Sequence, residues 1–209
     1  MHKIPELKLS KKGNKLLEMY KSIVDEGYKN NLFNIKNYKE ILKKTFHENN
    51  IKTVLDYGSG RSDWNDLSFD KENNISALEY FNLNKVFQYE PTIDNSNKKI
   101  ADCVLCFDVL EHIFISDLNK VVSDLYYHAS NLLILQVACY EAKAKLPNGE
   151  NAHITIRSPI WWKGFIDAIS SNFKSRTILI CSTSYDKASV FKSWNIDDWN
   201  NSSLYKIDL

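Results

Sequence analysis

Hydrophobic residues in the first 50 positions recur at the spacing of helices. Leu16, Leu17, Tyr20 and Val24 share one helical face, and Tyr38, Ile41, Leu42 and Phe46 share a second. Gly27 and the pair Asn30-Asn31 interrupt the pattern, and Asn49-Asn50 ends it. The chain is therefore predicted to begin with two helices.

From Ile51 onward, short apolar runs alternate with helical stretches. The runs at 53–55, 86–89, 103–107 and 132–137 are typical of buried strands, and helices are predicted over 118–127 and 159–171. This alternation predicts parallel strands joined by crossover helices. Two more runs, 177–181 and 188–192, are separated by a Ser/Thr/Asp turn that suits an antiparallel hairpin.

Length and composition favour a single domain. The 209 residues are 44% hydrophobic, which is enough apolar material for one compact core. We predict one α/β domain over 1–209, with a doubly wound, mostly parallel sheet and an antiparallel edge strand. Residues 1–50 form a helical extension that covers a cleft, and 51–209 form the core.

Charge and cysteine content narrow the choice of partners and compartment. Lys+Arg of 27 against Asp+Glu of 26 gives a net charge of +1, so no global field attracts nucleic acid or an anionic membrane. No stretch approaches the roughly 20 apolar residues of a membrane-spanning helix, and the first residues lack a secretion signal. A cytoplasmic protein is expected.

The cysteines are interpreted as reduced core residues. Cys103, Cys106, Cys139 and Cys181 lie inside or beside apolar runs, where a thiol behaves as a small hydrophobe. Cys103 and Cys106 have the spacing of half a zinc site, but no second pair completes it. No metal site is predicted.

The strongest chemical signal is Asp56-Tyr57-Gly58-Ser59-Gly60, in which an apolar strand runs into a carboxylate and two glycines. Glycines at such a turn let the backbone approach a ligand closely, although a purely structural turn is the alternative. Dinucleotide-binding turns carry a third glycine, where this chain has Ser62. The Asp56 carboxylate would repel a phosphate but suits a cationic ligand, such as the amino group of a sulfonium amino acid.

A second acidic residue, Glu90, ends the run 86–89 and is followed by Pro91. A carboxylate at the end of a strand is placed to accept hydrogen bonds from ribose hydroxyls, and solvated capping is the alternative. Glu90 lies 90 − 56 = 34 positions beyond Asp56, whereas about 20 are typical of dinucleotide folds. An insertion within 62–84 is therefore expected.

These motifs resemble the class I S-adenosylmethionine-dependent methyltransferases. Asp56, Gly58 and Gly60 match the family's D-x-G-x-G motif, with Ser62 as a departure, and the stretch 101–113 resembles its fourth strand and following turn. A turn with Asn and His followed by Trp161-Trp162 is also similar to uncharacterised methyltransferase-like proteins of phages and bacteria, which bring no assigned substrate.

The resemblance implies a Rossmann-like, seven-stranded sheet that binds S-adenosylmethionine and releases S-adenosylhomocysteine. The residues it implies around the cofactor come from three strand ends: Asp56, Tyr57, Gly58, Ser59, Gly60, Glu90, Pro91, Phe107, Asp108, Val109 and Leu110.

Two histidines are candidates for chemistry. His153 follows the turn Pro147-Asn148-Gly149 and is predicted to contact the methyl acceptor as a base or hydrogen-bond partner, with a packed loop histidine as the alternative. His112, after Glu111, is interpreted as a hydrogen-bonded side chain near a helix start, with proton transfer as the alternative.

Other polar and aromatic residues of this region receive mainly structural interpretations. Arg157 either holds an anionic acceptor group or is solvated. Trp161 and Trp162 are predicted to be packing anchors, because no basic run accompanies them as it would in a base-stacking platform.

The expected function is methyl transfer to a small-molecule acceptor, with no membrane partner and with nucleic acid disfavoured. The alternatives are a non-catalytic cofactor-binding protein in regulation or assembly, a nucleic-acid methyltransferase, and a nicotinamide-dependent oxidoreductase. The sequence identifies neither the acceptor nor the oligomeric state.

Overall fold

The computed structural model describes residues 4–25, 32–93, 98–194 and 203–208. The six helices in this part of the chain are α1 (Lys11–Asp25), α2 (Phe33–Asn37), α3 (Lys39–Glu48), α4 (Ala77–Tyr80), α5 (Ile115–His128) and α6 (Pro159–Ser170). The strands are β1 (Thr53–Tyr57), β2 (Lys85–Tyr89), β3 (Ala101–Phe107), β4 (Ala129–Ala138), β5 (Arg176–Ser184), β6 (Lys187–Trp194) and β7 (Ser203–Asp208).

The helices before β1 differ from the two predicted. The second predicted helix, with Ile41, Leu42 and Phe46, corresponds to α3, which Tyr38 precedes with a φ of −109°. The short α2 before it was not predicted. The Tyr38 ring between the two helices is buried and packs edge-on against Phe107. The predicted break at Gly27 and Asn30-Asn31 lies outside the described residues.

The strand order across the sheet is β2-β1-β3-β4-β5-β6-β7. The pairs from β2 to β5 are parallel, whereas β6 pairs antiparallel with both β5 and β7. The prediction of an α/β fold with a mostly parallel sheet and an antiparallel arrangement at one edge is confirmed, as is the hairpin of β5 and β6.

Helices cover both faces of the sheet and create two cores. On one face α5 and α6 bury Leu125 and Trp162 against β3, β4 and β5. On the other face α2, α3 and α4 pack Leu42, Phe46 and Ala77 against the same strands. Because both faces are buried, the central strands are continuous apolar runs, as parallel strands usually are.

The expected insertion between β1 and β2 consists of turns rather than a long helix. An isolated bridge joins Asp70 to Ile75, and the four-residue α4 follows with a capping box formed by Ser76 and Glu79. Trp64 anchors this segment in the second core. No helix therefore begins at the glycine turn after β1.

Helix α1 is attached to α5 at its first turn. The Ser10 backbone N–H and hydroxyl donate to the buried Asp117 carboxylate at 2.9 and 2.6 Å. A Cβ atom on Gly13 would come within 2.4 Å of the same carboxylate, so glycine allows this close approach. Leu16 of α1 then packs on Leu146 and Ala152.

Candidate functional site

A cavity of about 490 Å³ lies at the carboxyl ends of β1, β2 and β3. Strand β1 lies between β2 and β3, so the strand order reverses at β1. Open parallel sheets usually bind their ligands at the carboxyl ends of the strands beside such a reversal. The cavity walls come from the strand ends, α1 and the loop after β4: Leu7, Leu9, Asn14, Leu17, Tyr20, Ile23, Tyr57, Gly58, Gly60, Tyr89, Glu90, Pro91, Thr92, Phe107, Asp108, Val109, His112, Ile113, Val121, Tyr140, Ala142, Lys143, Ala144, Ala152, His153 and Tyr185.

The structure brings most of the predicted cofactor residues to this cavity. Tyr57, Gly58 and Gly60 line it from β1, Glu90 and Pro91 from β2, and Phe107, Asp108 and Val109 from β3. Asp56, Ser59 and Leu110 are buried and do not line it.

The turn after β1 requires glycine at position 58. Gly58 has a φ of +80°, and its N–H donates to the Tyr89 carbonyl at 2.7 Å. A Cβ atom there would lie 2.4 Å from the Val109 Cγ2 atom. The Val109 side chain thus packs directly on the Gly58 backbone at the cavity wall and leaves no space for a side chain at position 58.

Glu90 links the glycine turn to the end of β2. Its Oε2 atom accepts from the Gly60 N–H at 3.0 Å, and Oε1 accepts from the Thr92 N–H and hydroxyl at 3.0 and 2.7 Å. A carboxylate oxygen accepts about two hydrogen bonds, so Oε1 is saturated and Oε2 keeps one acceptor site. Glu90 is therefore fixed in place while it retains acceptor capacity toward the cavity.

Asp56 lies behind the glycine turn. Its Oδ2 atom accepts from the Trp64 indole N–H at 2.8 Å, among residues of the second core. Burial raises the pKa of Asp56 to about 7, the Trp64 N–H opposes that effect, and the Glu90 charge adds to it.

The stability of the protein is expected to depend on pH through Asp56. A free aspartate has a pKa of about 3.9, so the folded state holds this proton more tightly than the unfolded state does. The resulting stabilisation is complete below the unfolded pKa and is lost as the pH rises through the folded pKa near 7. Asp56→Asn keeps an acceptor for Trp64 and does not titrate.

Urea unfolding of both proteins from pH 4 to 8 checks this expectation. The stability of wild type relative to Asp56→Asn should fall by about 2–4 kcal/mol across the range. If the two stability curves run parallel over this pH range, folding does not raise the pKa of Asp56.

Aromatic rings form the wall of the cavity next to β1 and β2. The rings of Tyr57 and Tyr89 are 4.7 Å apart. The Tyr57 hydroxyl and the Lys98 ammonium both donate to the buried Asp124 carboxylate at 2.8 Å. Burial, followed by the charges of Asp124 and Glu90, raises the pKa of Tyr89 to about 12. This wall is neutral and rigid.

The opposite wall contains two histidines in edge-to-face contact, with ring centroids 4.8 Å apart. The His112 Nδ1–H donates to the Ala152 carbonyl at 2.9 Å, and the His153 Nδ1–H donates to the Tyr140 carbonyl at 2.6 Å. Because a carbonyl only accepts, each ring keeps its lone pair on Nε2. His112 is hydrogen-bonded, as predicted.

Helix α1 closes over these histidines. The Tyr20 hydroxyl donates to the Ala152 carbonyl at 2.5 Å and lies 2.8 Å from His112 Nδ1. Burial lowers the pKa of His112 to about 4, with the Asp108 charge opposing this shift and His153 adding to it. His112 is therefore a neutral imidazole at physiological pH.

Two carboxyl groups lie beside the histidines. Glu111 is fully buried, and its Oε1 atom accepts from the Ala138 N–H at 2.5 Å. Burial, and then the neighbouring Asp108 carboxyl, raise the pKa of Glu111 well above its ordinary value. Asp108 lies at the cavity wall with a φ of +59°, a conformation rare for residues other than glycine.

The remaining predicted residues lie outside the cavity lining. Arg157 is exposed, and its guanidinium lies 5.7 Å from the Trp161 ring. Trp162 is fully buried in the first core, as predicted. Cys103 and Cys106 belong to opposite cores and point to opposite faces of β3, so their spacing does not form half of a zinc site.

Sequence reasoning predicted that N-terminal helices cover a cleft, but it did not identify the side chains that α1 and two later loops contribute. Tyr20, Tyr140 and Tyr185 line the cavity, as does Lys143. The signal for Tyr20 was present as part of the apolar face of α1, but that pattern does not distinguish a face that covers a cavity from one that packs on a core.

The chain matched no protein-family model, no curated protein and no solved structure. Within the described residues, every helix is too short or too polar to cross a lipid bilayer.

Proposed function

We propose that this protein transfers the methyl group of S-adenosylmethionine to a small-molecule acceptor, using a Rossmann-like domain. The observation that carries the proposal is the convergence of the glycine turn, Glu90 and Asp108 on one cavity at the reversal point of the sheet. The cavity volume of about 490 Å³ is within the range of small-molecule sites.

The end of the cavity at β1 and β2 suits an adenosine. The turn at Gly58 carries no side chain on its cavity side, and the remaining lone pair of Glu90 Oε2 is an acceptor for a ribose hydroxyl. Pro91 and Tyr89 add apolar surface next to them. A flat, partly apolar base with a diol matches this combination of groups.

The end at β3 suits a positively charged sulfonium. The Asp108 carboxylate attracts a cation, and the faces of Tyr20 and Phe107 add favourable contacts with a positive charge. A sulfonium is already a reactive electrophile, so the protein's main task is to align the attacking atom with the methyl carbon.

His153 is the residue we assign to the acceptor. The bond from Nδ1–H to the Tyr140 carbonyl fixes its tautomer and leaves Nε2 to accept a proton or hydrogen bond. The enclosure of this end by α1 and the loop after β4 favours a small acceptor over a polymer.

The alternatives fit the site less well. A nicotinamide dinucleotide needs a helix N-terminus for its pyrophosphate. In this protein, turns and not a helix follow Gly60, and the Gly60 N–H already donates to the Glu90 carboxylate. A net charge of +1 gives little attraction for nucleic acid. A non-catalytic binding protein would share this pocket, and lack of S-adenosylhomocysteine formation with any acceptor would favour it.

Calorimetric titration with S-adenosylmethionine tests the proposal. Glu90→Gln removes the charge but keeps the size, and it should lower the affinity by about 5- to 100-fold, equivalent to about 1–3 kcal/mol. Glu72→Gln, an exposed position in the segment before α4, is the matched control and should bind like wild type. Equal titration curves for all three proteins would remove Glu90 from the site, and tight NADH binding would favour the oxidoreductase.

A further inference from the structure

We propose that Asp108, His112 and His153 bind a divalent transition-metal ion of the Zn²⁺, Fe²⁺ or Co²⁺ class at the cavity wall. This assignment differs from the sequence analysis, which considered a metal only at Cys103 and Cys106. It does not depend on the proposed methyl transfer.

The first observation is the convergence of three ligand atoms. One carboxylate oxygen and one nitrogen from each imidazole all lie within 4.8 Å of one another. Ligands about 2.1 Å from a metal are at most about 4.2 Å apart, so small side-chain rotations complete the site. Two imidazoles and one carboxylate form a common ligand set for this class of metal.

The second observation is the orientation of both rings. Metal-bound histidines usually donate their other ring N–H to a carbonyl or carboxylate, which sets the ring angle and tautomer. The His112 Nδ1–H and the His153 Nδ1–H each donate to a backbone carbonyl, those of Ala152 and Tyr140. Both Nε2 atoms therefore carry the lone pair that a metal needs.

The third observation is an excess of acidic groups with no paired cation. No ion pair within the described residues joins Asp108 or Glu111 to a Lys or Arg side chain. The Glu111 Oε2 atom is buried without a hydrogen-bond partner. A divalent ion bound by Asp108 and the histidines would supply the positive charge that this pair of carboxyl groups lacks.

Three protein ligands leave positions open for water or substrate, which is typical of catalytic rather than structural metal sites. All three side chains line the cavity, so the open positions face its interior. If the proposed function is correct, an acceptor hydroxyl could occupy one such position, where the metal would lower its pKa and direct its oxygen at the methyl carbon. Asp108 and His153 would then act as ligands of the metal, and no longer as a free carboxylate beside the sulfonium and a free base.

Metal titration of the chelator-treated protein tests the assignment without any cofactor. We expect one Co²⁺ per chain, with visible absorption bands of nitrogen and oxygen ligation and no thiolate charge-transfer band, and competition by Zn²⁺. His112→Ala and His153→Ala should each weaken Co²⁺ binding by about 100-fold or more. Glu111→Gln, beside the ligands, should weaken it by about 10-fold.

The exposed His47 of α3 provides the matched control, and His47→Ala should bind like wild type. Circular dichroism identifies any variant that fails to fold. If His153→Ala fails to fold, His153→Gln at the same loop position replaces it. Absence of stoichiometric binding to wild type, a thiolate band, or unchanged affinity in the folded His112 and His153 variants would overturn the proposal. S-adenosylmethionine titration of the metal-free protein separates this outcome from failure of the proposed function.

Discussion

Replacement of Gly58 by alanine is expected to destabilise the protein and to weaken the proposed binding of S-adenosylmethionine. The added Cβ would meet Val109 Cγ2 at 2.4 Å, and the residue would have to keep a φ of +80°. A left-handed conformation costs about 1–2 kcal/mol outside glycine, and overpacking costs about 1–3 kcal/mol more. If Val109 moves into the cavity to relieve this contact, it should lower the affinity for S-adenosylmethionine by roughly 100-fold or more.

Gly149→Ala separates the strain of the backbone from the contact with Val109. Gly149 has a similar φ of +86°, but nothing lies within 4 Å of its added Cβ, so this variant should lose only about 1–2 kcal/mol of stability and bind normally. The double variant Gly58→Ala/Val109→Ala should recover part of the lost stability. Normal S-adenosylmethionine affinity in Gly58→Ala would contradict the role given to the contact between Gly58 and the Val109 side chain.

Replacement of Lys98 by alanine is expected to destabilise the fold by about 3–5 kcal/mol, because it leaves a buried carboxylate without its cation. Asp124 accepts from Lys98 Nζ and from the Tyr57 hydroxyl, both at 2.8 Å, and its side chain is only 4% exposed. The Lys98 ammonium also lies 4.7 Å from the Tyr89 ring. The tyrosine wall of the cavity should become less ordered when this cation is removed.

Urea denaturation measures this effect, and Lys120→Ala is the matched control. Lys120 also pairs with a buried carboxylate, Asp117, but Lys120 itself is 49% exposed and Ser10 supplies two further hydrogen bonds to that carboxylate. Its replacement should cost no more than about 1 kcal/mol. Equal losses from the two variants would mean that the Lys98 pair is solvated like a surface pair.

The alternation of apolar runs predicted the core of the fold because buried parallel strands need continuous apolar sequence. The strands β1 to β6 lie where those runs were found. Helix α2 and strand β7 were missed for different reasons. Helix α2 has only five residues, too few for a helical period to be recognised, and β7 is completed by pairing with β6.

The strand-end residues of the site were predictable because a glycine turn and terminal acids mark the carboxyl edge of a parallel sheet. The direction in which each of these side chains points was not predictable from the sequence. Asp56 was expected to face a cationic ligand, but alternation along β1 directs it to Trp64, while Tyr57 faces the cavity. The cluster of Asp108, His112 and His153 combines two distant segments and is visible only in three dimensions.

A crystal structure of the protein with S-adenosylhomocysteine tests the central claim most directly. The proposed function predicts adenosine beside the glycine turn, a ribose hydroxyl donating to Glu90, and the sulfur directed toward Asp108 and His153. A crystal soaked at saturating ligand in which this cavity holds no ligand, or holds it with the ribose away from Glu90, would contradict the proposal.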